Sequence, residues 1–300
     1  MTATSTAKPV KGVASVRAWR PMMLQSLPLK VGVLVICLLW TLPTFGLLVT
    51  SVRDGRDITV TGWWDALIHL FNTRWTFDNY AQVVNAQGMG NSFLNSLIVT
   101  IPSTVIPITM AAFAAYAFAW IRFPGRGLLF TIVVGLLVVP IQMALIPVLQ
   151  IYSVLHLTGT FLGIWLAHTA FGLPLAIFLL YNFISQLPKD LFESADIDGA
   201  THYQIFTKIV LPLSVPALGA FAIFQFLWVW NDLLVSLVFL GVNANVQVMP
   251  VALYNLVGNH GEQWHILTAG AFVTMIVPLG VFLLLQRAFV RGILAGSVKS

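Results

Sequence analysis

Two groups of polar residues interrupt an otherwise apolar chain, and they invite different chemistry. The first, Gln225, Trp228, Trp230, Asn231 and Asp232, lies inside a long hydrophobic run. An ionisable residue at membrane depth is a functional hypothesis by default, since a carboxylate at a helix centre costs on the order of 3 kcal/mol on insertion scales. Asp232 could meet a polar solute, or it could simply pack two helices through a hydrogen bond. The second group, Asp190, Glu193, Asp196 and Asp198, stands just ahead of Gly199. This short acidic stretch has the character of a docking element and not of a reaction centre.

Other chemistry finds little support. His168 and Asp232 are the one tempting acid–base pair for an intramembrane enzyme, and nothing in the sequence places them together. No Gly-x-x-x-x-Gly-Lys-Ser/Thr phosphate loop and no nucleophile–base arrangement is present, so no catalytic residue is assigned. No His, Cys, Asp or Glu group stands at ligand spacing around His168, so no metal is assigned and no cofactor is expected on this chain.

The acidic stretch needs a helix to position it. Pro188 suits a first helical turn, and Asp190 and Glu193 then lie near the positive end of the helix dipole. At about 100° per residue, Leu191, Phe192 and Ala195 share one side, while Asp190, Glu193 and Asp196 share the other with Ile197 among them. Gly199 can take the left-handed conformation that ends a helix, after which Tyr203, Phe206, Ile209 and Val210 repeat at helical spacing until Pro212 and Pro216. The expected product is helix, tight turn, helix over 188–212.

Composition supplies the setting. The chain is 58% hydrophobic and 8% charged, against about 25% charged in soluble domains. It reads as an all-α integral membrane protein. A hydrocarbon core of about 30 Å needs roughly 20 apolar residues per helix, and six runs qualify: 28–51, 91–120, 127–150, 160–184, 213–241 and 266–290. Residues 28–291 then form one six-helix membrane domain, with polar tails at 1–27 and 292–300.

Charge gives sidedness. Lys8, Lys11, Arg17, Arg20 and Lys30 precede the first run, Arg122 and Arg126 follow the second, Lys189 and Lys208 follow the fourth, and Arg287, Arg291 and Lys299 close the sixth. The opposite side receives Arg53, Arg56 and Arg74 among Asp54, Asp57, Asp65, Asp78 and Glu262. The positive-inside rule therefore places both termini and the acidic stretch in the cytoplasm. The net charge of +5 follows this sidedness and not a nucleic-acid patch. Cys37, the single cysteine, excludes an internal disulfide.

Along the chain, Trp63, Trp64, Trp75 and Tyr80 predict a short helix at the outer membrane surface, with Thr76 and Asp78 as capping residues. The alanines between 111 and 117 permit close helix contact. Pro140 and Pro147 predict a bent third span, whose Gln142 is a candidate pathway residue with Gln225, Trp228, Asn231 and Asp232. The polar residues from Asn243 to Trp264, including Tyr254, read as an outer segment suited to a hydrophilic partner or a sugar.

Glu193-Ser194-Ala195, Gly199 and Ile209-x-Leu211-Pro212 resemble the EAA signature of permease subunits in bacterial binding-protein-dependent ABC importers, with serine in place of the middle alanine. Asn91 through Tyr116, the Phe123-Pro124-Gly125-Arg126 turn, Ile197-Asp198-Gly199-Ala200 and the ending from Gln286 to Lys299 are similar to the maltose-type carbohydrate branch, second-permease subtype. The ending departs from that pattern at Ala288 and Ser300.

The resemblance implies an importer of the bacterial inner membrane built from this subunit, a second permease, two cytoplasmic ATPase subunits that carry ATP and Mg, and an external sugar-binding protein. It implies that Glu193, Ser194, Ala195, Asp198, Gly199, Ala200, Leu211 and Pro212 form the ATPase-docking region, a coupling helix and its turn, with the tail 292–300 reaching towards the ATPase dimer. The implied substrate is a disaccharide or oligosaccharide such as an α-glucoside. The alternative reading is an ion-coupled secondary transporter, which Asp232 and the proline-broken spans would suit; the sequence lacks its expected internal repeat.

Overall fold

A computed structural model describes residues 27–297, apart from 242 and 261–262. The basic N-terminal tail, Glu262 and Lys299 lie outside the described residues. The chain divides into two compact units between Leu47 and Leu48, inside the first helix, α1 (Leu27–Ser51). In the first unit, every side chain from Pro28 to Phe45 is exposed, as suits an apolar span.

The second unit opens with the outer segment. Its short helices α2 (Gly55–Ile58), α3 (Trp63–Ile68) and α4 (Asp78–Ala81) precede a π-helical turn at Gln82–Ala86. The anchor is Arg53, which is 2% exposed and donates to the Gly62 carbonyl at 3.0 Å and the Thr61 hydroxyl at 2.6 Å. Arg74 pairs with Asp57 at 2.6 Å. Its guanidinium hydrogen bond holds the Asp57 carboxyl below the usual carboxylate range. Thr76 accepts from the Asp78 N–H at 3.0 Å, but Phe77 and not Thr76 stands at the cap of α4, which has no side-chain cap hydrogen bond.

The helices that follow are α5 (Met89–Trp120), α6 (Arg126–Leu136), α7 (Ile141–Val154), α8 (Phe161–Ile184), α9 (Lys189–Ile197), α10 (His202–Ile205), α11 (Leu211–Asn231), α12 (Leu234–Phe239), α13 (Met249–His260) and α14 (Trp264–Ser297). Among the described residues there is no strand, only an isolated bridge between Arg53 and Trp75. Pro28–Ser51, Met89–Trp120, Phe161–Ile184, His202–Asn231 and Trp264–Leu284 are long and apolar enough to cross a membrane.

Three expectations need adjustment. The third run is two helices bent by 102° at 137–140, so it counts as a sixth crossing only as a broken one. Pro140 has no N–H to continue α6 and disfavours helical geometry in the residue before it. The fifth run ends at Asn231 and not at 241, because Asp232 is extended and its carboxylate accepts the Val235 N–H at 3.1 Å, starting α12 as a separate helix.

At its other end, the helix expected to stop at Pro212 runs on. His202–Asn231 is continuous through a π-helical turn at Phe206–Val210, where the Leu211 N–H reaches back to the Phe206 carbonyl. Widening the helix just before Pro212 relieves the clash its ring would make with the preceding turn. The third adjustment is α13, which stands where the sequence suggested only a polar outer segment. Its Val251, Ala252 and Leu256 are buried, and Ser96 on α5 accepts the Met249 N–H at 2.7 Å.

The core follows small residues. Ala111, Ala112 and Ala115 of α5 and Ala176 of α8 are buried beside Ile177, Leu180 and Ile184, so the two helices approach closely. A second buried cluster, with Met89, Trp230, Met249, Leu256 and Ala269, joins α5, α11, α13 and α14.

Candidate functional site

The acidic helix–turn–helix forms as its residues dictate. Pro188 precedes α9 in an extended conformation and Asp190 lies in the first turn. Gly199 has φ +71°, the left-handed geometry that favours glycine. The Ala200 N–H closes the turn on the Ala195 carbonyl at 2.9 Å, and Gly199 donates to Asp196 at 3.1 Å. Thr201 and Gln204 then cap α10 reciprocally, with Thr201 N–H to Gln204 Oε1 at 2.8 Å and Gln204 N–H to Thr201 Oγ1 at 3.3 Å.

The faces sort almost as the helical wheel suggests. Phe192 and Ala195 are buried, whereas Asp190, Glu193, Asp196 and Asp198 are exposed. Leu191 is half-exposed, and Ile197 is 87% exposed. Ser194 donates to the Asp190 carbonyl at 2.8 Å on the exposed side, which is why serine is tolerated there. Pro188, and not Glu193, precedes the helix, and no hydrogen bond or ion pair engages the Glu193 carboxylate within the described residues. A self-capping role is thereby removed. Leu211 and Pro212 begin α11 directly after the π-helical turn and are exposed.

What sequence reasoning missed is how this element is fastened. The Trp120 ring, at the end of α5, stacks on Phe192 with centroids 3.5 Å apart and planes within 14°. Its indole N–H donates to the Ile184 carbonyl at the end of α8, at 3.0 Å. One turn back, the Tyr116 hydroxyl meets His202 Nδ1 at 3.0 Å, and Phe113 stacks on Phe206 at 4.4 Å. Phe113, Tyr116 and Trp120 are three and four residues apart, so they line one face of α5. That spacing was a readable signal.

The membrane-depth group divides. Gln225 is fully buried, donates to the Ser103 carbonyl at 3.2 Å and packs on Gly172. His168 is also fully buried, with neither ring nitrogen hydrogen-bonded; Asp232 lies 3.7 Å away and Trp228 presents its ring edge-on. The acid–base pair that the sequence left apart is therefore close, but no substrate can reach a fully buried imidazole. Asn231 is exposed at the end of α11, and Gln142 is exposed in the first turn of α7, away from any such cluster. Among the described residues no three His, Cys, Asp or Glu side chains gather to hold a metal.

This architecture has relatives. Residues 22–295 match the family described as binding-protein-dependent transport system inner membrane component. The chain belongs to that family. The permease is 60% identical to the osmoprotective compounds uptake permease protein GgtD of Synechocystis sp., over 92% of this chain and 93% of that one. It is 45% identical to the alpha-glucoside transport system permease protein AglG of Rhizobium meliloti, over 89% and 96%.

Among solved structures, a chain of a bacterial ABC transporter involved in the import of the acidic polysaccharide alginate has the same fold. The TM-score is 0.72 at 21% identity, covering 87% of the permease and 94% of that chain. The protein is thus a multi-pass inner-membrane transport subunit, and the ion-coupled alternative loses its place.

Proposed function

We propose that the permease is one of two membrane subunits of an ATP-driven importer for an α-glucoside of disaccharide or oligosaccharide size, working with two cytoplasmic ATPase subunits and an external binding protein. The observation that carries the coupling part of this reading is the aromatic fastening of α9 and α10 to α5. An element held by Trp120–Phe192 stacking and the Tyr116–His202 hydrogen bond moves with the span behind it. The exposed Glu193, Asp196, Ile197 and Asp198 offer an ATPase cleft an apolar plug within an acidic rim.

Ser194, Ala195, Gly199, Ala200, Leu211 and Pro212 build the turn and the helix start that present this surface. ATP binding closes the ATPase dimer and carries α9 with it. The tilted spans then open the pathway outward, and hydrolysis resets them. The substrate rests on relatives, one named for alpha-glucoside transport and another, 34% identical, named for trehalose transport. The relative named for osmoprotective compounds makes high osmolarity the growth condition to compare.

The test is purification of the tagged permease from its own membranes. A second permease and two ATPase subunits should co-elute, and vesicle uptake of radiolabelled maltose should require ATP and the binding protein. Uptake driven by an ion gradient without ATP would sink the proposal.

A further inference from the structure

At the end of α11 the molecule carries a groove of about 330 Å³, lined by Asn231 and Leu233, by Pro250, Leu253, Tyr254 and Val257 of α13, and by Thr274 of α14. That volume is in the range of small-ligand sites, roughly 300–1,000 Å³. Its floor is fixed. Trp230, 1% exposed, donates its indole N–H to the Thr274 carbonyl at 3.1 Å and is braced by Phe93 and Phe226. Asn95 holds the approach to α13 by donating to the Asn245 and Gln247 carbonyls, each at 3.0 Å.

The polar groups of this groove are unevenly spent. The Thr274 hydroxyl donates to its own Gly270 carbonyl at 2.9 Å. The Asn231 amide donates to the Leu227 carbonyl at 2.7 Å, which leaves its side-chain oxygen as a free acceptor. Tyr254 is 54% exposed, and among the described residues no hydrogen bond engages its hydroxyl. An amide oxygen at the end of α11 and a phenol on α13, both without partners among the described residues, do not belong against hydrocarbon. They belong against a polar solute or water.

Beside them, Leu233 and the α13 residues Pro250, Leu253 and Val257 give the groove an apolar lining. A pyranose ring has the matching surface, C–H bonds on its face and hydroxyls around its rim. We propose that this groove is a sugar subsite of the permease itself, seating one ring of the solute on the apolar lining with its hydroxyls on Tyr254 and Asn231. The proposal rests on the sugar-importer reading above and adds to it that this subunit contacts the cargo.

The experiment uses the complete importer in proteoliposomes with its binding protein, ATP and maltose. In a Cys37→Ala background, a thiol introduced by Tyr254→Cys should react with a hydrophilic maleimide, and maltose under turnover should slow that reaction. A thiol from Val60→Cys, on the outer segment, should react at the same rate with or without maltose. Separately, Tyr254→Phe should raise KM for maltose about five-fold, as loss of one hydrogen bond does.

If the wild type neither binds nor carries maltose, the α-glucoside reading fails and takes the subsite with it. If the wild type carries maltose but the Tyr254→Cys thiol is unprotected, or is inaccessible even without sugar, the subsite alone is overturned, the second result meaning that another subunit fills the groove. An unchanged KM for Tyr254→Phe overturns it as well, even if the cysteine variant fails to assemble.

Discussion

At Gly199 a single backbone angle decides a functional surface. A Cβ there meets no neighbour within 4 Å, yet φ +71° is a conformation that residues other than glycine rarely adopt. Gly199→Val should therefore disturb the turn by about 1–3 kcal/mol and not the bundle. Uptake should fall sharply while membrane insertion, measured by immunoblot of washed membranes, stays normal. Glu193 tests the surface itself. Since it makes no bond among the described residues, Glu193→Lys should leave stability within about 0.5 kcal/mol, while weakening ATPase co-elution; a reciprocal acidic substitution in the ATPase cleft should restore it. Gly163 and Gly172 provide a contrast unrelated to docking. A Cβ on Gly163 meets the Leu157 backbone carbonyl, whereas one on Gly172 meets only the Gln225 amide. Gly163→Ala should lower the melting temperature more, because a side-chain amide can swing aside and a backbone carbonyl cannot. Residues with local rules were legible: Pro188, Gly199 and the two-faced acidic stretch follow from propensity and periodicity. The meeting of His168 and Asp232 was not, since their proximity depends on how α8 packs beside the end of α11, 64 positions apart in sequence as 232 minus 168.

Elements behave as their breakers instruct, with one limit. Prolines announce interruption but do not set its size. Pro102 and Pro107 ride inside a continuous α5, Pro212 is absorbed by a π-helical turn, and Pro140 turns the chain by 102°. The difference lies in neighbours: α5 is packed along α8 and α11, so its lost hydrogen bonds do not unwind it, while α6 has few partners in this chain. The same reasoning explains α13, whose alternation of Asn, Tyr and Leu reads as an outer loop until its buried side meets α5 and α14. The fastening of α9 makes an element-scale prediction. Trp120→Ala removes a stacked pair worth about 0.5–1.5 kcal/mol beyond its area, together with the indole bond to Ile184. ATPase activity in the assembled complex should persist while its stimulation by the loaded binding protein is lost. Trp120→Phe, which retains stacking but not the N–H, should recover most of that stimulation. Equal stimulation in wild type and Trp120→Ala would show that the ring is mere packing.

For the whole molecule, sidedness is what turns these parts into a transporter. By the positive-inside rule, the basic residues of the sequence predict that α9 faces the cytoplasm and the outer segment does not. The argument is physical and can be measured without any knowledge of the cargo. In a Cys37→Ala background, thiols from Ile197→Cys and Val60→Cys are both well placed, the native side chains being 87% and 81% exposed. In intact spheroplasts a membrane-impermeant maleimide should label only the Val60→Cys protein, and the Ile197→Cys protein should react after permeabilisation. Labelling of both from outside would mean that α9 is external and cannot meet an ATPase. The geometry already fixes how the bent pair is used: Trp165 near the start of α8 donates to the Ile98 carbonyl early in α5, and Trp120 at the end of α5 donates to the Ile184 carbonyl at the end of α8, so the two helices run parallel. The chain between them must return to the face where α5 begins, so α6 and α7 together cross and α9 lies opposite the outer segment. The pair of thiols therefore tests which of the two faces is cytoplasmic.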